Sequence, residues 1–529
     1  TMRWFNDVWT KEVFANFLSA KIIKPSFTEI DHDLRFLTAH YPSAYRIDRT
    51  RGANPISQPL ENLNFAGSLY GPIIYQKAPI VMRHLETRIG AEQLRQGLVQ
   101  YLERYSFGNA SWTDLIEILA ENSGENLKSW NHDWVEQAGL PIISVTRTDR
   151  GVELIQKDPM KKDRTWDQSL SVTYGNMRDG KISSSFKIIN MVNKTHEIDD
   201  LGEIDFVIPN GSGVEYGQFL LDTESLEFLL ENVDLFEDDL LRGAVWISLW
   251  EQVLENRLNP ERFFSGLLRA IELEKDELLL ATFLGYLKEC FIKYLDVNSQ
   301  QQFLPDLEAL LWSKANSAGG ELSKTARASF FQMYRLLAST EVGKSKLFDL
   351  WSKKLEVRDL SLSEQDQLSL SMRLAVLDPD NSGSILTEQA ELITNGDRKA
   401  RFNFLLPALS SNIKVRGEFV DSLRDYRNRE REAWVTAALR YIHHPSRAAE
   451  SVVHIASGLS LLTEIQRTGD IFFPSQWLNA IFDGHNSSGA LDIAVNFISE
   501  NPRLPAALLG KIEQAIDPLR RSVSISMSD

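Results

Sequence analysis

Hydrophobic residues recur at helical spacing near the start of the chain. Leu94, Leu98, Tyr101 and Leu102 lie three and four residues apart, which predicts one apolar stripe on an amphipathic helix. A second helix is predicted after the capping candidates Ser111 and Thr113, and it ends at Gly124. Residues 1–138 are therefore expected to form a helical subdomain.

The hydrophobic period changes from about 3.6 to 2 after the Gly139-Leu140-Pro141 turn. Alternating runs follow, each bounded by Gly, Asn or Asp, in "IISVTRTDRGVELIQ", "SLSVTYGN", "SSFKIINMVNKTHEID" and "IDFVIPNGSG". Residues 139–223 are predicted to form a small antiparallel β-sandwich.

Helical spacing returns in residues 224–529. One predicted helix face is traced by Trp246, Leu249, Trp250, Val253 and Leu254. Successive helical segments are separated by short polar breaks without an exact repeat, which favours an irregular, HEAT-like α-solenoid. The expected fold is multidomain and mainly α, with a β-sandwich between two helical domains.

Composition agrees with a globular protein of about three domains, since the 529 residues are 43% hydrophobic and 25% charged. The net charge of -16 argues against nucleic acid as the main partner, because nucleic-acid binding needs clustered Lys and Arg. No apolar run reaches the ~18 residues that span a bilayer. The single cysteine, Cys290, excludes an intrachain disulfide and a Cys-based zinc site, and it is expected to pack in a core.

None of the nine histidines belongs to an H-E-x-x-H motif, in which two imidazoles share one helix face. The adjacent pair His443-His444 precedes Pro445, so it is expected at a helix end in a capping or surface role. The spacing of the nine histidines does not match a conventional set of four zinc ligands.

Glu12 lies in a predicted helix that Asn6 or Asp7 can cap and that extends to about Lys21. Its helix face also carries small or polar residues, namely Ala15, Asn16 and Ser19. Local pattern alone favours a solvated or ion-paired glutamate and leaves a metal-ligand role open.

The phrase "TMRWFNDVWTKEVFA" resembles, almost residue for residue, a segment of the aminopeptidase N family of gluzincin zinc metallopeptidases. In that family the glutamate at the position of Glu12 is the third zinc ligand. The two histidine ligands belong to an H-E-x-x-H motif that, at the family's spacing, would precede Thr1. Asp7 is a secondary candidate, better explained as a helix cap or a hydrogen-bonding neighbour of the site than as a ligand.

The phrase "GSLYGPIIYQKAPIVMRHLE" is similar to the family's tyrosine-bearing helix. There the tyrosine donates its hydroxyl to the oxyanion of the tetrahedral intermediate, a role that the resemblance gives to Tyr75. Tyr70 is a lesser candidate for the same pocket, and Lys77 is expected to fix the tyrosine helix.

Further likeness extends over essentially the whole chain, including "WNHDWVEQAGLPIISV", where the family's catalytic domain joins its β-sandwich. Residues 1–138 would then be the C-terminal helical part of a thermolysin-like catalytic domain. The chain departs from the family pattern at Val13, where the family has Gly, and at Ala78-Pro79, where it has Gly-Ala. Both changes alter backbone freedom beside the candidate residues.

The resemblance implies a zinc-dependent aminopeptidase that removes N-terminal residues from peptides by attack of a metal-activated water. This chain would be its C-terminal portion, contributing Glu12 to one Zn²⁺ and Tyr75 to oxyanion stabilisation. Taken alone it is expected to hold zinc poorly and to be inactive. The alternative is a non-catalytic aminopeptidase-like scaffold that binds other proteins.

Overall fold

The computed structural model describes residues 5–59, 71–318 and 322–527. The chain is mostly helical, with a small β region between two helical regions, as the hydrophobic periods predict. It divides into two compact units, Thr1–Leu258 and Asn259–Asp529. The finer division at residues 138 and 223, the sandwich and the solenoid stay predictions.

Within residues 5–59 and 71–138, six α-helices precede the β region. They are α1 (Val8–Ile23), α2 (His32–Asp48), α3 (Ala78–Ile89), α4 (Ala91–Arg104), α5 (Trp112–Ser123) and α6 (Leu127–Asn131). Single π-helical turns occupy Ile73–Lys77 and His132–Glu136, and 3-10 turns occupy Phe5–Asp7 and Lys24–Ser26.

The predicted stripe of α4 is correct for Leu94 and Tyr101, which are buried, and wrong for Leu102, which is 68% exposed. Gly97 is buried on the packed side instead, and a Cβ added there would lie 2.4 Å from Leu119 Cδ2. Close approach of α5 at a glycine therefore rotates the buried face away from Leu102. The predicted start of α5 is confirmed, because Ser111 forms a capping box with Asp114.

Among the residues that the structure describes, seven strands form two sheets. The strands are β1 (Ile142–Arg147), β2 (Gly151–Lys157), β3 (Gln168–Arg178), β4 (Lys181–Met191), β5 (Thr195–Asp199), β6 (Phe206–Ile208) and β7 (Gln218–Leu220). Their orders are β5-β2-β1-β7 and β4-β3-β6. One cluster of buried aliphatic and aromatic residues draws on every strand of both sheets.

The pairings are antiparallel except for β1 with β7, which is parallel. The expected all-antiparallel arrangement is therefore wrong at this pair. Its cause is the segment between β6 and β7, which returns the chain to the other sheet, where the Gln218 N–H donates to the Pro141 carbonyl at 2.8 Å. A hairpin would have reversed the strand direction; this crossing does not.

Two further helices complete the first unit, α7 (Thr223–Asn232) and α8 (Asp239–Leu254), with a 3-10 turn at Val233–Leu235 between them. The predicted apolar face of α8 is confirmed, since all five of its residues are buried. The helix is in fact buried on nearly every side after Leu241.

Lys77 and Asp48 form a buried ion pair that joins the helical and β regions of the first unit. Their side chains have no solvent exposure, and Lys77 Nζ lies 2.8 Å from Asp48 Oδ2. Lys77 also donates to the Gly139 carbonyl at 2.9 Å, while Asp48 Oδ1 accepts the Gly139 N–H at 3.1 Å. Tyr216 adds its hydroxyl, 3.2 Å from Asp48 Oδ2. Burial lowers the pKa of Lys77, and the Asp48 carboxylate opposes that shift.

The described part of the second unit is built mainly of helices. They are α9 (Pro260–Leu273), α10 (Glu277–Glu289), α11 (Val297–Ala315), α12 (Lys324–Leu337), α13 (Glu341–Trp351), α14 (Glu364–Leu377), α15 (Ser382–Leu392), α16 (Gly396–Leu409), α17 (Ile413–Ser422), α18 (Glu432–Ile442), α19 (Ala448–Ser451), α20 (Ile455–Ser460), α21 (Leu462–Thr468), α22 (Phe473–Phe482), α23 (Ser488–Glu500) and α24 (Ala506–Ser526). Cys290 is buried and begins a π-helical turn, Cys290–Tyr294, so its predicted core role agrees with its position. Over the described ranges, no helix combines the length and apolarity needed to cross a bilayer.

His443 and His444 lie just beyond α18, at the predicted helix end, but in different environments. His444 Nδ1 accepts the Ser446 N–H at 3.2 Å and so caps the next turn. A surface role is wrong for His443, which is 2% exposed and has Nδ1 2.8 Å from His485 Nε2. Burial lowers the pKa of His443 well below its ordinary value and that of His485 to about 4, with the nearby Lys293 contributing to the second shift.

Breaking the buried ion pair should destabilise the first unit. Lys77→Met leaves the Asp48 carboxylate buried without its cation, which is expected to cost about 3–5 kcal/mol. The loss is measured as faster hydrogen exchange in peptides from His32–Asp48 and Ala78–Ile89. Asp48→Asn in the Lys77→Met background should cost less than the sum of the single changes. Arg95→Met, which removes an exposed ion pair with Glu92, is the control and should leave this protection unchanged.

Acid should destabilise the second unit through His485. Its imidazole stays neutral in the folded state to about pH 4, whereas the unfolded chain takes up the proton near pH 6.5. Stability is therefore complete above pH 6.5 and falls as the pH drops toward 4, by about 3 kcal/mol for this group. Hydrogen exchange in α18 and α22, corrected for its intrinsic pH dependence, measures the loss. His485→Gln should make the profile shallower, with the part due to His443 remaining, and His132→Gln should leave it unchanged. Equal profiles for all three proteins would contradict the assignment.

Candidate functional site

Glu12 lies on the open side of α1. Val13 and Phe17 are buried, whereas the residues that share the face of Glu12 (Ala15, Asn16 and Ser19) are exposed. The Glu12 side chain is 23% exposed, and the Lys11 ammonium lies 3.9 Å from its carboxylate. A partly covered carboxylate with open space above it can accept a cation or a hydrogen-bond donor.

Asp7 occupies the N-cap position of α1, but its side chain does not cap that helix, so the predicted capping role is wrong. Its carboxylate instead accepts the backbone N–H of Trp112 at 3.3 Å, at the start of α5. The Trp9 and Trp112 rings pack beside this contact with centroids 4.7 Å apart. Burial raises the pKa of Asp7, the Trp112 N–H lowers it, and the neighbouring Asp114 raises it. Asp7 thus joins α1 to α5.

Tyr75 is a partly buried residue in the π-helical turn Ile73–Lys77. Pro79 follows four residues later and has no N–H, so it cannot make the α-helical bond to the Tyr75 carbonyl. With its amide turned to donate, Gln76 reaches that carbonyl at 3.3 Å and His40 Nδ1 at 2.7 Å. Proline and the polar residues around it therefore account for the wider turn at Tyr75.

The departures from the family pattern are compatible with the local backbone. Ala78 has φ −63° and ψ −36°, an ordinary helical conformation that needs no glycine. Pro79 lies in the first turn of α3, where a missing N–H is tolerated. Val13 is fully buried within α1, where it adds packing that a glycine would lack.

Helix α1 contacts both the Ile73–Lys77 turn and α3, which brings together the elements that carry Glu12 and Tyr75. Lys21, near the end of α1, forms an ion pair with Glu86 of α3. Lys77 is turned into the interior, where it binds Asp48 and Gly139. Tyr70 lies outside the described residues.

Sequence reasoning identified Lys77 as a fixing residue but missed its partners Asp48, Gly139 and Tyr216. The available signal was a lysine inside the apolar run "PIIYQKAPIVM", because a buried ammonium needs a carboxylate and hydrogen-bond acceptors. That signal predicts an acidic partner without saying which of 73 Asp and Glu residues it is.

The described ranges contain no group of three or more His, Cys, Asp or Glu residues placed to hold a metal ion. A catalytic zinc takes three protein ligands, and Glu12 supplies one oxygen donor. The described residues alone therefore do not fit a zinc ion.

Comparison with known proteins gives a match to the peptidase family M1 domain over residues 1–134. Tricorn protease-interacting factor F2 of Thermoplasma acidophilum is 24% identical over 302 residues, covering 56% of this chain and 36% of that protein. Aminopeptidase N of Streptomyces lividans is 24% identical over 295 residues, covering 52% and 34%. Puromycin-sensitive aminopeptidase of Caenorhabditis elegans is 32% identical over 151 residues, covering 28% and 16%.

The matched part of the chain thus spans about a third of the length of the first two relatives and less of the third. The matched residues include Glu12, Tyr75 and the buried pair Lys77–Asp48, but not Gly139 or Tyr216. Residues 1–134 thus match the peptidase family M1 domain, and the resemblance of the chain to the aminopeptidase N family is confirmed.

Proposed function

We propose that this chain forms part of a zinc aminopeptidase, to which Glu12 contributes a zinc ligand and Tyr75 a hydrogen-bond donor. The observation that carries the proposal is the packing of α1 on the Ile73–Lys77 turn within the segment that matches family M1. Both candidate side chains keep partial exposure there. The remaining zinc ligands would be an H-E-x-x-H pair of histidines ahead of Thr1, as the family motif predicts.

Several relatives are named aminopeptidases, which supports a peptidase of this class. The substrate class under this proposal is peptides with a free N-terminus. Zinc, when bound, would polarise the scissile carbonyl and lower the pKa of a bound water.

Tyr75 would act on the oxygen of the scissile carbonyl. As that oxygen gains negative charge, a phenol hydroxyl already oriented toward it forms a stronger hydrogen bond than in the ground state. Such a donor contributes about 2.7–4 kcal/mol to transition-state stabilisation. The buried Lys77–Asp48 pair supports this role because it fixes the turn that bears Tyr75.

The alternative is an aminopeptidase-like scaffold without catalysis. The two proposals differ in what precedes Thr1 and in zinc content, so one preparation of a protein with the upstream motif distinguishes them. A stoichiometric zinc ion supports the enzyme; a folded protein without zinc or peptidase activity supports the scaffold.

Replacing Tyr75 by Phe should lower kcat for alanyl and leucyl amides by about 10²–10³-fold and leave the zinc content unchanged. The measurement is steady-state hydrolysis by a protein that contains this chain with the upstream motif. Tyr105→Phe, at a tyrosine of another helix end, is the matched control and should retain full activity. Full activity of Tyr75→Phe would refute the role given to Tyr75.

Replacing Glu12 by Gln should weaken zinc binding, since an amide oxygen is a poorer zinc ligand than a carboxylate. The expected result is a loss of more than about 10–100-fold in zinc affinity, the range seen when a residue that only hydrogen-bonds to a ligand is replaced. Competition with a chelating dye measures the affinity. Glu29→Gln changes an exposed glutamate beyond α1 and should leave affinity unaltered. Equal zinc affinity of Glu12→Gln and the unmodified protein would remove Glu12 from the ligand set.

A further inference from the structure

An open groove of about 910 Å³ lies on the outer face of the β4-β3-β6 sheet, and neither Glu12 nor Tyr75 is among its lining residues. Its floor combines a row of small polar residues on β3 with apolar residues on β4. The opposite wall includes Leu235, Phe236 and Leu241, around the start of α8. This volume is in the range of ligand-binding clefts, and its shape is open enough for a chain to lie along it.

Strand β4 is an end strand, since within the described ranges it pairs only with β3. The direction of its backbone groups follows from the register. The carbonyls of Ser171 and Gly175 on β3 accept the backbone N–H groups of Gly211 and Asp205 on the β6 side. The even-numbered β3 residues therefore direct their backbone N–H and C=O groups at β4. Tyr174 is one of these, and it pairs with Ser185.

It follows that odd-numbered β4 residues point their N–H and C=O groups at β3, and even-numbered ones point them outward. Ser184, Phe186 and Ile188 belong to the outward set, and all three also line the groove. Phe186 and Ile188 are 64% and 69% exposed. An eleven-residue edge with outward backbone donors and acceptors beside apolar side chains has the chemistry of a strand-addition site.

Charge distinguishes between the possible occupants. The exposed groups that line the groove include two carboxylates, Glu237 and Asp238, against one ammonium, Lys181. The buried Glu215 carboxylate at its base already accepts from Ser171 N–H and the Ser212 hydroxyl. A second copy of the chain would bring the same acidic residues and the same net charge of -16 against this surface. A cationic strand meets an attractive field instead.

We propose that the β4 edge and its groove bind an extended peptide segment in which lysine or arginine lies two residues from a β-branched residue, so that both side chains face the groove. The segment adds to the sheet beside Ser184, Phe186 and Ile188, its apolar side chains pack on Phe186 and Ile188, and its cationic side chains face Glu237 and Asp238. This binding is independent of the proposed peptidase function and needs no metal.

The probe is a fluorescent, N-acetylated and C-amidated peptide in which Val and Lys take turns at every second position and Thr fills the positions between them. Its counterpart is a peptide of the same length with Glu in place of Lys. Both lack a free amino group, so aminopeptidase chemistry does not enter the result. Anisotropy titration with the present chain should give saturable binding of the Lys peptide, about tenfold tighter than that of the Glu peptide. The preference should shrink as salt is raised.

Two variants of Ser184 separate strand addition from a general attraction of opposite charges. Ser184→Pro removes an outward-pointing N–H without removing a hydrogen bond to β3. It should lower the affinity for the Lys peptide by about tenfold or more. Ser184→Ala keeps the N–H and should bind as the unmodified chain does. Glu237→Gln with Asp238→Asn should reduce the difference between the two peptides. Circular dichroism and thermal unfolding verify that each variant is folded.

Three outcomes would overturn the proposal. Equal binding of the Lys and Glu peptides would remove the charge argument, and equal binding by Ser184→Pro and Ser184→Ala would remove strand addition. Self-association of the peptide-free chain that Phe186→Ser abolishes, seen by sedimentation velocity, would assign the edge to a second copy of the chain.

Discussion

The buried ion pair between Lys77 and Asp48 is the constraint on which the first unit depends. An ammonium without solvent contact is tolerated only when a carboxylate and hydrogen-bond acceptors surround it. Those partners come from the end of α2 and from the Gly139 turn, and the Tyr216 hydroxyl before β7 donates to the Asp48 carboxylate in turn. One ionic contact therefore fixes three segments that are far apart in sequence, at the point where helical structure gives way to strands.

The same contact fixes the backbone beside Tyr75. Lys77 ends the π-helical turn, and Pro79 prevents the turn from closing as an ordinary α-helix at the Tyr75 carbonyl. The Tyr75 carbonyl lacks its α-helical hydrogen bond, and Gln76 and His40 contact it instead. Local sequence chemistry thus sets the form of the turn, and the buried charge sets its place. Helix α1, which carries Glu12, packs on the Ile73–Lys77 turn.

Local patterns predicted most of the secondary structure. The change of hydrophobic period at Gly139 marked the start of the strands, and the caps at Ser111 and Gly124 marked α5, because these signals depend on nearby residues. Failures occurred where a distant contact prevailed. The Asp7 carboxylate accepts the Trp112 N–H instead of capping its own helix. Gly97, not Leu102, lies on the buried face of α4. His443 is buried in contact with His485. The parallel β1–β7 pair likewise depends on a crossing between sheets that strand periodicity does not encode.

The candidate site divides in the same way. Glu12 and Tyr75 were identified through motif resemblance, since nothing in their local pattern distinguishes a ligand from a surface glutamate. Asp48, Gly139 and Tyr216 lie far from Lys77 in sequence, and only the folded chain brings them together. The most direct test of the account is a zinc-anomalous crystal structure of a protein that includes this chain and the upstream histidine motif. The account predicts an anomalous peak about 2.0–2.2 Å from a Glu12 carboxylate oxygen, with the Tyr75 hydroxyl facing the same cavity. A zinc peak bound elsewhere, with Glu12 facing solvent, would contradict it.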